Sequence, residues 1–333
     1  MALTKVLGLV AAVASVAISS ILPRQSSGMW KTLAPVPVGP FHEESTVAIS
    51  DTKIAIIGGI LARGGMTDYV GIYDIPTNTW TRGAPLPVPI NHANAAVVGG
   101  KIYVLGGMTG AAWAGDGRSW VYDPYTNVWT ALTPMPGGAG RGSAAMGVYN
   151  GTIWMAGGKT NGMGGASVDT VSAYHVESGT WLEVPSAAKH IPGARDHGGG
   201  AVVGTKFYQL GGSQDGIPNR KDTVFILDLQ NVVRGWTTAQ GRMPTPRRGL
   251  AAAAVGTKIY TFGGEGNPDP NSKGVFDSVE MYDTETDSWA VLDPMPLPRH
   301  GTYAVAIGGV IYIPGGGTES GTPATAEFTA YYP

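Results

Sequence analysis

Six Gly-Gly doublets begin at Gly58, Gly106, Gly157, Gly211, Gly263 and Gly315, at intervals of 48, 51, 54, 52 and 52 residues. Five of them sit in units of one design: a short alternating strand, the doublet, a variable loop, a second strand, and a Trp a few residues on. These units run Ile54–Trp80, Ile102–Trp129, Ile153–Trp181, Phe207–Trp236 and Ile259–Trp289. One such unit cannot bury its apolar face alone. Strand-built repeats with a period near fifty residues therefore predict a closed radial array, a β-propeller.

The ends of the chain support closure. Met29–Pro37 reads like the end of a unit without its beginning (compare Ser288–Pro296), whereas the sixth unit has strands at Tyr303–Ile307, Val310–Pro314 and Ala326–Tyr331 but no Trp strand. Pairing the Trp30 strand with the C-terminal three predicts an all-β, six-bladed ring with no open edge. The expected organisation is a targeting segment over 1–20, a linker over 21–28 and one propeller over 29–333. The 51 glycines and 24 prolines suit many tight turns.

Lys5 followed by the apolar, Ala-rich run Val6–Ile18, with Ala17-Ile18-Ser19 as a small-residue cleavage site, reads as a signal peptide. The run is short for a membrane span. The expectation is a secretory or extracellular protein without stable membrane insertion after cleavage. The chain has no cysteine, so it relies on its core rather than on disulfides. Asn150-Gly151-Thr152 is its one N-glycosylation sequon, on a hairpin turn that Asn-Gly also favours for its own geometry. A net charge of −2 without basic clusters argues against a nucleic-acid partner.

The first strand of each unit (Ala93–Val98, Ala144–Tyr149, Gly198–Val203, Leu250–Val255, Thr302–Ile307) is built of small residues suited to the crowded centre of a ring. Tyr73, Tyr122, Tyr174 and Tyr282 end third strands, and Trp80, Trp129, Trp181, Trp236 and Trp289 open fourth strands; both sets are expected to pack between blades. The pattern Tyr122-Asp123…Thr126…Trp129, repeated as Tyr282-Asp283…Thr286…Trp289 after a Gly doublet, resembles the kelch repeat. So do Arg141, Arg195, Arg247 and Arg299, each opening a first strand. The resemblance covers about Trp30–Tyr331; Leu227-Asp228 and the sixth unit depart from it. It implies the propeller fold and little about chemistry.

The loops entering the first strands and those following the doublets are the long ones and share a face, the usual place for binding on a rigid scaffold. Aligned, the entry loops give a first column His42, Ile90, Arg141, Arg195, Arg247, Arg299, expected to be structural. The second is Glu43, Asn91, Gly142, Asp196, Arg248, His300, and the third Glu44, His92, Ser143, His197, Gly249, Gly301. Four of the six histidines (His42, His92, His197, His300) lie in these loops, although the repeat demands none there. Asp196, His197, Arg248, His300 and His92 are the candidate catalytic set: an acid that orients an imidazole, imidazoles that exchange protons near neutral pH, and an arginine for a developing oxyanion. Glu43, Glu44 and Asn91 are candidate polar binding residues. Met66, Met108, Trp113, Met163, Ile217 and Phe276 in the loops after the doublets are candidate apolar contacts. An organic ligand with apolar surface and hydrogen-bonding oxygens fits both groups.

No cofactor or metal is expected from motifs. Gly157-Gly158-Lys159-Thr160 imitates the end of a phosphate loop, but Ile153 stands where its first glycine should be. There is no His-Glu-x-x-His motif and no nucleophile elbow, and the Asp269/Asn271 loop lacks calcium-loop spacing. Kelch-type galactose oxidases use a Tyr–Cys cross-link beside copper, which a cysteine-free chain cannot make. The small, secretory, cysteine-free ring resembles kelch-type proteins of fungal biosynthetic pathways. That resemblance implies a hetero-Diels–Alderase joining a tropolone quinone methide to a sesquiterpene. The alternatives are a sugar-acid mutarotase or epimerase, and a non-catalytic carbohydrate- or protein-binding module.

Overall fold

The alternating segments pair in sequence, each with the next, as expected for strands joined by tight turns. In the computed structural model, which describes residues 28–162, 164–321 and 323–333, they form six four-stranded antiparallel sheets. The signal-peptide expectation lies outside the described residues. Blade 1 comprises Ser45–Ser50, Lys53–Ile57, Val70–Asp74 and Thr79–Arg82; blades 2 to 5 repeat the order with inner strands Ala95–Val98, Ala145–Tyr149, Gly199–Val203 and Ala251–Val255. Among the described residues no helix is long and apolar enough to cross a membrane.

Blade 6 takes Val305–Ile307, Val310–Pro314 and Phe328–Tyr332 from the C-terminus and its outer strand, Met29–Leu33, from the other end of the chain. Five residue pairs, from Met29–Tyr332 to Leu33–Phe328, zip this closure. Trp30 meets Phe262 of blade 5 edge-on at 5.8 Å and Tyr331 at 4.9 Å, so the closing strand is also packed against the neighbouring blade.

The repeated Tyr and Trp residues are inter-blade hardware. The Trp80, Trp129, Trp181 and Trp236 indoles donate Nε1–H to the carbonyls of Ala34, Ala84, Thr133 and Ala188, each on the preceding unit, at 2.9–3.0 Å. The Tyr73 and Tyr122 hydroxyls donate to Asn78 and Asn127, at 2.6 Å in each case. Those same side-chain oxygens accept the Ala34 and Ala84 amides of the preceding unit. Asn78 and Asn127 have φ of 54° and 58°, a left-handed turn conformation that asparagine tolerates better than most residues.

The buried arginines are structural as well. The Arg141 guanidinium donates to the carbonyls of Gly157, Ala139 and Thr170, and that of Arg299 to Gly315 and Glu327. Arg247 instead pairs with buried Glu280 at 2.5 Å. Burial drops the Arg141 and Arg299 guanidinium pKa values to about 10, which leaves both charged at neutral pH.

Trp30→Ala should cost about 3 kcal/mol, the lower end for loss of a large aromatic, because the ring is only half-buried. Denaturant midpoints measure this; an unchanged midpoint would show that the closing strand carries no stability.

Candidate functional site

Every entry loop makes the same sharp turn into its inner strand. The turning residues are Glu43, His92, Ser143, His197, Gly249 and Gly301, with φ between 48° and 60°. Each of their amides donates to the carbonyl of the corresponding residue in a neighbouring blade. His92 donates to Glu43 (2.9 Å), Ser143 to His92 (3.0 Å), His197 to Ser143 (3.2 Å), Gly249 to His197 (2.8 Å), Gly301 to Gly249 (2.9 Å) and Glu43 to Gly301 (2.6 Å). The six bonds close a circuit around the ring axis. Left-handed backbone costs a non-glycine residue on the order of 1–3 kcal/mol, and such strain gathers at functional sites.

This circuit corrects the alignment of blade 1 by one residue. Glu43, not Glu44, is the turning residue, His42 pairs with Ile60 as Asn91 does with Met108, and Phe41 stands where blades 3 to 6 carry arginine. His42, the basic residue next to Phe41, imitates the arginine and shifts the register of blade 1.

The residue just before each turn bridges to the residue just after the Gly doublet: Asn91 to Met108, Gly142 to Lys159, Asp196 to Ser213, Arg248 to Glu265 and His300 to Gly317. Across these bridges Ser213 donates to Asp196 at 3.0 Å, and Arg248 forms an ion pair with Glu265 at 3.0 Å. Gly317 is required beside His300, because a Cβ there would stand 2.3 Å from the imidazole Nε2.

Above the circuit lies a cavity of about 310 Å³. Its polar lining is Glu43, His92, His197, Arg248, Glu265 and His300, together with His42 and Lys159. Met108, Trp113 and Ile217 supply the apolar part of the lining. His92 Nε2 lies 3.0 Å from Glu43 Oε2 and 2.9 Å from His197 Nε2. An Arg248 guanidinium nitrogen is 2.8 Å from that same His197 nitrogen and donates to it. The other imidazole nitrogens are held from behind: His197 Nδ1 on Asp196 at 2.6 Å, and His92 Nδ1 on Asn91 Oδ1 at 2.5 Å. His300 Nε2 donates to the Glu319 carbonyl at 2.9 Å, so its Nδ1 faces Glu43 and Glu265, each 3.9 Å away.

The electrostatics follow from this arrangement. Burial opposes ionisation of Glu43 and Asp196, yet the facing imidazoles, and Arg248 beside Asp196, hold both carboxyls well below the usual range. Burial and the Arg248 charge lower the His197 pKa, outweighing Asp196. Burial takes His42 down to about 4, so this imidazole is neutral at pH 7.

The five residues of the candidate catalytic set are thus brought together, although Asp196 stands behind His197 rather than on the cavity wall. Asn91 likewise stands behind His92. Glu44 is wholly buried, off the cavity wall, and burial pushes its carboxyl well above the usual range. Met108, Trp113 and Ile217 line the cavity, whereas Met66 and Phe276 do not. Met163 lies outside the described residues. Sequence reasoning missed Glu265, Lys159 and Ser320. The first two occupy the position immediately after a doublet, where Ile60, Met108, Ser213 and Gly317 are otherwise found; a column drawn there would have exposed them. In sequence, Lys159 reads as part of an imitation phosphate loop.

Residues 26–212 and 199–329 match the model of the KLHDC2/KLHL20/DRC7 Kelch-repeats domain. The chain is 38% identical over 322 residues to Kelch-like protein terF of Aspergillus terreus, covering 92% of this chain and 68% of that protein. It is 27% identical over 242 residues to human Kelch-like protein 25, spanning 70% of this chain and 38% of the relative. It is also similar, at 33% identity over 111 residues, to the N-acetylneuraminate epimerase of Vibrio cholerae, a match covering 33% of this chain and 26% of the epimerase.

The two glycines of the circuit should respond unequally to alanine. Both take left-handed strain, but at Gly301 the new Cβ would lie 2.5 Å from Glu43 Oε1, whereas at Gly249 its nearest neighbour is 3.3 Å away. Gly249→Ala should cost about 1–2 kcal/mol. Gly301→Ala should cost more and displace the Glu43 carboxylate. Urea midpoints of the two variants, measured side by side, check the order; equal losses would show that Glu43 does not lie over Gly301.

Proposed function

The chain belongs to the kelch-repeat β-propeller family, and on the chemistry of its cavity we propose that it is a secretory biosynthetic enzyme that aligns organic partners for a pericyclic reaction. The product is that of a hetero-Diels–Alder reaction between a tropolone quinone methide and a sesquiterpene alkene. The observation that carries this reading is the juxtaposition of an apolar wall, Met108, Trp113 and Ile217, with a preorganised polar floor. The similarity to a fungal kelch-like protein supports it.

A concerted cycloaddition forms its two bonds in one step. Nothing leaves and no proton need be transferred, so the protein's tasks are to exclude water, hold the two partners face to face, and stabilise charge gathering on the carbonyl oxygen of the diene. Arg248 is the fixed donor for that oxygen. Glu265 and Asp196 hold its guanidinium, the former at 3.0 Å and the latter at 4.0 Å. His197, oriented by Asp196, fixes the same guanidinium from the other side. His300 and His92 complete the polar surface. The apolar partner stacks on Trp113 and Met108, where a thioether adapts to an irregular hydrocarbon.

The similarity to the epimerase favours a second reading, proton transfer on a sugar acid by the same imidazoles.

Generating the quinone methide in the presence of purified protein and the sesquiterpene tests the first reading. The expected outcome is one stereoisomer formed faster than the background reaction. Arg248→Ala should lower turnover roughly 10²–10³-fold, the usual loss for removing one oxyanion donor. Met108→Ala should instead chiefly raise KM for the terpene. Racemic product at the background rate would refute the reading. Accelerated mutarotation of N-acetylneuraminate, followed by NMR, would put the sugar-acid reading in its place.

A further inference from the structure

Three lone-pair atoms converge on one point in the floor. Glu43 Oε2, His92 Nε2 and His197 Nε2 all lie within 4.8 Å of one another, with neighbouring separations of 3.0 Å and 2.9 Å. Each Nδ1–H is given to an oxygen behind its ring, Asn91 Oδ1 for His92 and Asp196 Oδ1 for His197, so the facing Nε2 is the nitrogen that a metal ion would take in exchange for any proton it carries. Acceptors so close together repel unless a cation or a proton sits among them.

We propose that Glu43, His92 and His197 bind a divalent transition-metal ion of the zinc class. Two imidazoles and one carboxylate form a zinc donor set; tetrahedral ligands about 2.1 Å from a common ion lie about 3.4 Å apart, so seating the ion asks these atoms to part by only about 0.5 Å. The carbonyl and carboxylate partners behind the two histidines are the outer shell that fixes tautomer and ring direction around a metal. The third observation comes from His300. It is 2% exposed, and its Nδ1 has no hydrogen-bond partner among the described residues and faces the carboxylates of Glu43 and Glu265. The charge balance agrees: Arg248 is shared between Asp196 and Glu265, and among the described residues Glu43 has no arginine or lysine in ion-pair distance.

Arg248 is the competitor. It donates to His197 Nε2, the lone pair that the ion needs. Its ion pair with Glu265 gives it a place to remain once that hydrogen bond is released. The three ligands come from blades 1, 2 and 4, at positions 43, 92 and 197, so no contiguous motif announces them. An ion bound there would supply Lewis acidity to a carbonyl oxygen in the cavity. The site does not rest on which reaction the cavity carries out.

The experiment is metal binding to protein stripped with a chelator, read by calorimetry with Zn²⁺ and by the visible spectrum with Co²⁺. The expected result is one ion per chain and a Co²⁺ spectrum of nitrogen–oxygen ligation. His92→Ala or His197→Ala should abolish it, and Glu43→Gln should weaken it at least tenfold. Asn91→Leu should weaken it roughly 10–100-fold through the lost support behind His92. Arg248→Met should tighten binding, because it removes the competing donor. Thermal midpoints establish that each variant is folded; if an alanine variant is not, Glu43→Gln and Arg248→Met decide. No binding by the folded wild-type chain would overturn the proposal. So would binding that survives in folded His92→Ala, or that is lost in His190→Ala, an exposed histidine paired with Asp169 elsewhere. None of these readouts depends on turnover, so the metal site and the pericyclase reading fail separately.

Discussion

The closed circuit of six backbone hydrogen bonds at the entry turns is the constraint on which the site depends. Strand pairing alone builds blades, and the Trp and Tyr contacts between them set their spacing. Neither fixes the direction of a side chain at the ring axis. The circuit does so, because each turning residue must adopt left-handed φ to deliver its amide to the adjacent blade. Once that conformation is imposed, whatever side chain the position carries is held by two neighbours. Two of the six are glycines, where the conformation is nearly free of cost. The other four, Glu43, His92, Ser143 and His197, accept the strain and keep a functional group, and three of those four are the proposed ligands.

The repeat also explains why the floor is asymmetric. Where a blade keeps a glycine just before the turn or just after the doublet, as at Gly142 or Gly317, it opens room for a large neighbour. A Cβ at Gly142 would sit 2.9 Å from Met108 and 3.0 Å from the His92 Cβ; one at Gly317 would overlap the His300 ring. Small residues stand beside large ones at these places, so six similar blades enclose a cavity with an apolar and an ionic side. Blade 5 supplies both members of the Arg248–Glu265 pair from the two sides of one bridge, which lets a buried charge arrive already partnered.

The fold was legible because periodic residues leave periodic marks: the doublets and the Tyr/Trp pairs recur from blade to blade, and the arginines recur at the entry to the inner strand of blades 3 to 6. The site was legible in the reverse sense, as a failure of the period. His92, His197 and His300 stood out because the repeat asks for no histidine there. Three limits of that reasoning have physical causes. Blade 1 is displaced by one residue because Phe41 fills the place of the arginine while the basic His42 beside it imitates one. Glu265 and Lys159 were missed because their column lies just beyond the glycines, in what sequence alone presents as the start of a variable loop. Met66 and Phe276 were singled out for apolar character, but only geometry separates a side chain that packs its own loop from one that faces a cavity.

The same reasoning shows why searching for local motifs says little about chemistry in a propeller. Contiguous signatures arise where a helix or a tight loop carries several functional atoms a few residues apart, as in zinc proteases or phosphate loops. Here the ring brings one residue from each blade to the axis, so functional neighbours are separated by about one repeat or a multiple of it. His92 and His197 are 105 residues apart in sequence with their Nε2 atoms 2.9 Å apart in space. The informative comparison is therefore between equivalent positions of successive blades, not between adjacent residues. Read down the turning position, the chain gives Glu, His, Ser, His, Gly, Gly, and the chemistry is concentrated in blades 1 to 4. The position just before the turn adds Asp196, Arg248 and His300 from blades 4 to 6. The two half-circles overlap at blade 4, where Asp196 and His197 are consecutive residues, and that overlap places an acid directly behind an imidazole. The overlap is what turns a solvated rim into an oriented charge network, since an imidazole without a fixed partner behind it would leave its tautomer, and so its reactive nitrogen, undefined.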